Sequence, residues 1–89
     1  MNQDVAALLC KKAAKVINNS VTISHRVAYH VFDGEIKDQA LAYYEVYCRV
    51  GTDWQIREFD TWNKVHTFMK QIILTKGANL VQESNADAL

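Results

Sequence analysis

Apolar residues recur at helical spacing near both ends of the chain and alternate with polar residues between them. Residues 4–18 carry one apolar stripe, which is typical of an amphipathic helix. Its members are Val5, Leu8, Leu9, Ala13, Val16 and Ile17. A second stripe predicts another helix that begins near residue 61 and runs to about residue 76. Its members are Trp62, Val65, Phe68, Met69, Ile72 and Ile73.

Capping residues flank both predicted helices. Asn18-Asn19 can end the first helix, because asparagine tolerates the left-handed conformation of a helix C-terminus. Asp60 or Thr61 can begin the second helix, since the side-chain oxygen of either residue accepts a hydrogen bond from a free backbone N–H. Gly77 follows the second stripe and is predicted to end that helix.

The middle of the chain predicts three strands, at residues 20–32, 41–50 and 54–59. In the first strand, an apolar set faces one way and a polar set that includes Arg26 and His30 faces the other. His25 is in phase with the apolar set, and we interpret it as a core or edge histidine or as the mark of a bulge. Asp33-Gly34 is a turn signal. With residues 35–40 it predicts a connection of about eight residues, the alternative being a tight hairpin at Asp33-Gly34 alone.

The predicted order is helix, strand, strand, strand, helix, which makes an α+β fold. A three-stranded antiparallel sheet can bury one face under two amphipathic helices, so both helices should pack on the same face and leave the other open. Residues 1–79 are predicted to form a single compact domain. Residues 80–89 are predicted to be a short, acidic and flexible C-terminal tail, in which Leu80 and Val81 can make one more contact with the domain.

The alternation of the second and third strands assigns residues to the open face. Tyr44 and Cys48 fall in the apolar set of the second strand and should face the helices. In the third strand, Trp54 and Ile56 are the expected inward pair, which places Gln55 and Arg57 outward. A cluster of aromatic and basic residues is then expected on the open face, beside Glu45. Its predicted protein-binding members are Tyr43, Tyr47, Arg26, Arg49 and Arg57.

Three interpretations of this cluster compete. Cross-strand packing on a solvated face explains it without any function. A protein-contact surface explains it equally well, because tyrosine and arginine dominate contact energies at interfaces. Base stacking is the weaker interpretation, since Glu45 would repel phosphate.

Composition favours a small globular domain and weakens the case for a nucleic-acid binder. The 89 residues are 49% hydrophobic and 22% charged, with a formal net charge of zero. A nucleic-acid-binding domain usually has a basic excess. Lys11, Lys12 and Lys15 are the candidate nucleic-acid-binding residues of that alternative, although a solvated helix face explains them more simply.

No pattern in the chain predicts catalysis, a metal site or a cofactor. Cys10 and Cys48 are interpreted as reduced, buried thiols. The three histidines are scattered, and neither an H-x-x-x-H nor a C-x-x-C spacing occurs. The N-terminus lacks the pattern of a secretion signal, and no apolar run reaches the length of a membrane span. We therefore expect a non-enzymatic protein in the cytoplasm.

The order of elements over residues 4–77 resembles the double-stranded RNA-binding domain. That family reads RNA with a basic cluster at the start of its second helix and a loop with proline and histidine. Here the second helix begins DTWNKVH and the chain has no proline, so those RNA-binding residues are not carried over.

The order is also similar to that of some phage-encoded inhibitors, including certain anti-CRISPR proteins. The expected function is a small regulatory or inhibitory module of a phage or mobile element that binds another protein and can also form a homodimer. The alternative is a nucleic-acid-binding domain.

Overall fold

The computed structural model describes the backbone of residues 2–80 and the side chains of residues 2–27, 33–35 and 42–80. It confirms the predicted α+β order, with one antiparallel sheet in the strand order β1-β2-β3. The predicted positions of His30 and of tail residues 81–89 lie outside these described parts. The elements are α1 (Gln3–Ile17), β1 (Val21–Phe32), β2 (Glu35–Val50), β3 (Asp53–Phe59) and α2 (Trp62–Thr75).

Both helices end on residues in the left-handed conformation, α1 at the predicted Asn18 and α2 at Lys76, one residue before the predicted Gly77. Asn18 closes α1 with a φ of 54°, and Lys76 closes α2 with a φ of 53°. Gly77 follows with a φ of 81°, and its N–H donates to the carbonyl of Ile72 at 2.9 Å. At the other end of α2, the Thr61 hydroxyl accepts from the backbone N–H of Lys64. These caps satisfy backbone groups that the helix itself leaves unpaired.

The core lies between the two helices and one face of the sheet. α1 contacts α2 and β1, and α2 also contacts β2 and β3. The first two apolar residues of the α1 stripe, Val5 and Leu8, remain 36% and 51% exposed. Leu80 is 2% exposed, which confirms its predicted contact with the domain. The buried cluster consists of Leu9, Ala13, Val46, Cys48, Val65, Met69, Ile72 and Leu80.

The connection between β1 and β2 is the tight hairpin, and the predicted eight-residue connection is wrong. Asp33 and Gly34 form the turn with φ values of 55° and 75°, and β2 begins at Glu35. β3 pairs only with residues 44–50 of β2. Residues 35–43 therefore pair with β1 alone, in a two-stranded ribbon that extends beyond the three-stranded part of the sheet. Two register shifts interrupt this ribbon, one between Ala28 and Tyr29 and one between His30 and Val31.

The orientation of β3 is opposite to the predicted one. The hairpin loop has two residues, Gly51 and Thr52, because β3 begins at Asp53 and not at the predicted residue 54. Val50 consequently pairs with Asp53, and Arg49 pairs with Trp54. Because side chains alternate along a strand, this one-residue difference turns the whole strand over. Trp54 and Ile56 lie on the open face, and Gln55 and Arg57 lie on the helix side.

Candidate functional site

The open face is the side of the sheet that the helices leave uncovered. Directly paired residues on neighbouring strands share a face, so the pairing places their side chains in rows across the sheet. Arg26 and Tyr43 pair at one end of this face. Three rows follow along β2: the acidic row (Ser24, Glu45, Glu58), the apolar row (Thr22, Tyr47, Ile56) and the basic row (Arg49, Trp54).

Two large apolar side chains of β3 are exposed on the open face. Trp54 is 48% exposed and Ile56 is 53% exposed. They border an open depression of about 470 Å³ that reaches across all three strands. Its lining residues are Thr22, Ser24, Arg26, Tyr47, Trp54 and Ile56. Clustered exposed apolar side chains with a polar rim are typical of interaction sites.

Arg26 is held along β2 by two polar side chains of that strand. Its Nε donates to Glu45 Oε1 at 2.7 Å, and its Nη2 lies 3.5 Å from the Tyr47 hydroxyl oxygen. The hydrogen bonds with Tyr47 and Glu45 raise the pKa of the Arg26 guanidinium above its ordinary value. The Glu45 side chain is only 12% exposed. The charges of Arg26 and Glu45 therefore largely cancel within the chain.

Arg49 lies against the indole of Trp54. Its guanidinium carbon is 5.6 Å from the ring centroid, which is within the range of a cation–π contact. The Nε of Arg49 is buried and has no hydrogen-bond partner among the described residues. A buried donor without an acceptor destabilises the free chain.

Tyr43 and Tyr47 share the open face but lie in different hollows. Tyr47 lies in the apolar row, inside the depression. Tyr43 lies at the end of β3, beside a second hollow of about 570 Å³. The residues around that hollow are Ala42, Tyr43, Glu58, Phe59, Asp60 and Lys64.

The placement of Arg57 on the open face is wrong. Arg57 pairs with Val46, a fully buried core residue, and its guanidinium carbon is 5.8 Å from the ring centroid of Phe68 in α2. The structure thus brings together Arg26, Tyr47 and Arg49 of the predicted cluster, with Tyr43 at its end, and leaves Arg57 out.

The three candidate nucleic-acid-binding lysines lie on the far side of the molecule. Lys11, Lys12 and Lys15 are exposed on α1, whose buried residues Ala6 and Leu9 point into the core. Since α1 packs on the helix side of the sheet, these lysines and the open face form separate surfaces.

The helix side holds the two thiols and two histidines. Burial raises the pKa of Cys10, and it raises the pKa of Cys48 from 9.0 to about 11. Protonated thiols are poor nucleophiles and poor metal ligands. The His25 ring stacks on Tyr44 with centroids 4.4 Å apart, and His66 lies 6.2 Å from Trp62. Within the described residues, the acidic, histidine and cysteine side chains form no group of three that could hold a metal ion.

None of the described helices has the length and hydropathy needed to cross a membrane.

Sequence reasoning missed Trp54 and Ile56 as open-face residues. Their apolar character suggested burial, which is the usual rule for large apolar side chains. Phe59 indicated the other orientation, because side chains alternate along a strand and Phe59 cannot lie on the same face as Trp54 and Ile56. It packs against the core, with its ring centroid 5.2 Å from that of Phe68.

No protein-family model matches this chain, and no curated protein and no solved structure is significantly similar to it.

Proposed function

We propose that this protein is a non-enzymatic module that works by protein–protein contact through its open face. The observation that carries the proposal is the exposure of Trp54 and Ile56 beside Tyr47. Aromatic anchors next to arginine are the residues that contribute most to binding energy at interfaces. Here Arg26 and Arg49 flank those apolar side chains.

The charge of the open face favours a protein over a nucleic acid. Within residues 20–27, 42–50 and 53–59, its charged residues are Arg26, Arg49, Glu45 and Glu58, so two positive and two negative charges cancel. A surface that neutralises phosphates needs a positive excess. A protein surface with a mixed polar rim needs none. A module of this kind acts by covering a surface of its partner, which is how a small inhibitor carried by a phage or mobile element would work.

The test is a tagged pull-down from native lysate of the source cells, with and without nuclease. The double variant Trp54→Ala/Ile56→Ala should lose the captured protein, because truncating interface anchors costs roughly 2 kcal/mol or more of binding free energy. Leu74→Ala is the matched control, since Leu74 is 75% exposed on α2, away from the open face. It should capture as much partner as the wild type.

Two outcomes would contradict the proposal. Capture that persists in the double variant would place the contact elsewhere on the molecule. Capture that nuclease abolishes would favour the nucleic-acid alternative and direct attention to Lys11, Lys12 and Lys15.

A further inference from the structure

The order of the three rows makes the open face complementary to a second copy of itself. The acidic row and the basic row lie on either side of the apolar row, at the positions of Glu45 and Arg49 on β2. At roughly 3.3 Å per residue, the apolar row is about 7 Å from each. Consider two copies stacked open face to open face, with a two-fold axis midway between the sheets that runs along the apolar row, perpendicular to the strands. This axis places the acidic row of each copy on the basic row of the other.

We propose that the open face binds a second copy of this chain in that orientation. The proposal rests on the proposed function, because it names the occupant of the same face. Apolar row then packs on apolar row, so that Tyr47 and Ile56 of each copy cover one another. Arg49 with Trp54 of one copy faces Glu45 and Glu58 of the other. Such a contact is isologous, as in most homodimers.

Two features of the single chain support this occupant. Glu45 and Glu58 are directly opposite each other on β2 and β3, and like charges in such a pair repel. Arg26 is paired with Glu45, whereas Glu58 is exposed on the edge strand. Arg49 forms no ion pair among the described residues. The second copy brings the basic row of one chain onto the acidic row of the other, twice per dimer.

The alternative two-fold arrangement is unfavourable. An axis parallel to the strands would place each row on its own counterpart. Arg49 would then face Arg49 and Glu45 would face Glu45, and like charges across an interface destabilise it. Charge therefore selects the perpendicular axis, which brings Arg49 of each copy onto the acidic row that holds Glu45 and Glu58.

The dimer is expected to dissociate on dilution. The three rows span roughly 13 Å along the strands and roughly 10 Å across them, using the usual strand spacings. This flat patch is well below the roughly 800 Å² of accessible surface that each partner buries in a standard interface. We therefore expect a dissociation constant in the range of about 10 to 100 µM.

Sedimentation velocity of the full chain from about 1 µM to about 500 µM tests the proposal. The wild type should change from monomer to dimer over this range. Arg49→Glu and Glu58→Arg should each weaken the dimer at least about tenfold, because each variant alone places like charges across the interface. Circular dichroism of each variant verifies that it is folded.

An equimolar mixture of Arg49→Glu and Glu58→Arg is the decisive sample. In a heterodimer of these two variants, residue 49 of each copy again lies over a row in which residue 58 carries the opposite charge. The mixture should therefore dimerise with nearly the affinity of the wild type, although neither variant does so alone. Leu74→Ala should dimerise like the wild type.

Three results would overturn the proposal: a wild type that stays monomeric at about 500 µM, single variants that dimerise normally, or a mixture that does not recover. The pull-down separates this failure from failure of the proposed function. A monomeric wild type that loses a captured protein only in Trp54→Ala/Ile56→Ala would refute the second copy and leave the open face as a protein-contact surface. If neither association responds to that variant, the open face is not a contact surface at all.

Discussion

At the scale of single residues, the structure is most sensitive where the chain must adopt a left-handed backbone or pack without space. Gly77 meets both conditions, with a φ of 81° and the Ile17 side chain in the space that a Cβ would need. A Cβ built at this position would be 2.7 Å from Cγ2 of Ile17. The sequence predicted the glycine as a helix terminus, but only the packing of α1 on α2 shows that it also makes room for Ile17.

Gly77→Ala should lower the free energy of unfolding by roughly 2 kcal/mol or more, because it adds a clash to the backbone strain. Urea denaturation measures the change. Gly51→Ala is the control for backbone strain alone, since Gly51 has a φ of 63° and open space around its Cα. It should cost roughly 1 kcal/mol. Equal losses in the two variants would show that Ile17 moves aside freely.

At the scale of elements, α1, α2 and β1 follow local rules that the sequence displays. Their ends coincide with residues that cap helices or form turns. β3 follows no such rule, since its orientation depends on whether the loop before it has two or three residues. The apolar pattern of Trp54 and Ile56 indicated burial, whereas the hairpin pairing exposes both.

The N-terminus of α2 depends on one side chain. Thr61→Ala removes the hydroxyl that accepts the N–H of Lys64, so the free energy of unfolding should fall by roughly 1 kcal/mol. Thermal and urea unfolding measure the change. Thr67→Ala is the matched control, because Thr67 is exposed within α2 and alanine is the better helix former. A loss that is as large in Thr67→Ala would show that capping is not the cause.

At the scale of the whole molecule, two surfaces of different character lie on opposite sides. The open face combines apolar side chains with charges that cancel. The exposed side of α1 carries Lys11, Lys12 and Lys15. Because the core separates these surfaces, variants of one leave the other intact, and the two candidate functions can be tested independently.

The triple variant Lys11→Gln/Lys12→Gln/Lys15→Gln should leave protein binding by the open face unchanged. A phosphate-driven complex would weaken by orders of magnitude between 50 and 200 mM salt, whereas a contact built on Trp54, Ile56 and Tyr47 should change severalfold at most. Isothermal titration at several salt concentrations, with the captured partner, measures both effects. A steep salt dependence that the triple variant removes would favour nucleic acid.

The sequence by itself determined the α+β class, the order of the five elements, the helix ends and most of the core. Those features depend on local periodicity and on capping and turn residues, which neighbouring residues suffice to specify. It also indicated Arg26, Tyr47 and Arg49 as members of one face, because β1 and β2 alternate cleanly.

Only the tertiary structure decided which residues complete the open face. The two-residue loop at Gly51-Thr52 reverses β3, so that Trp54 and Ile56 join Tyr47 while Arg57 turns to the helix side. A strand of alternating apolar and polar residues is compatible with either orientation. The choice between them is made by pairing with β2 and by the packing of Phe59 against the core, and these contacts join parts of the chain that are distant in sequence.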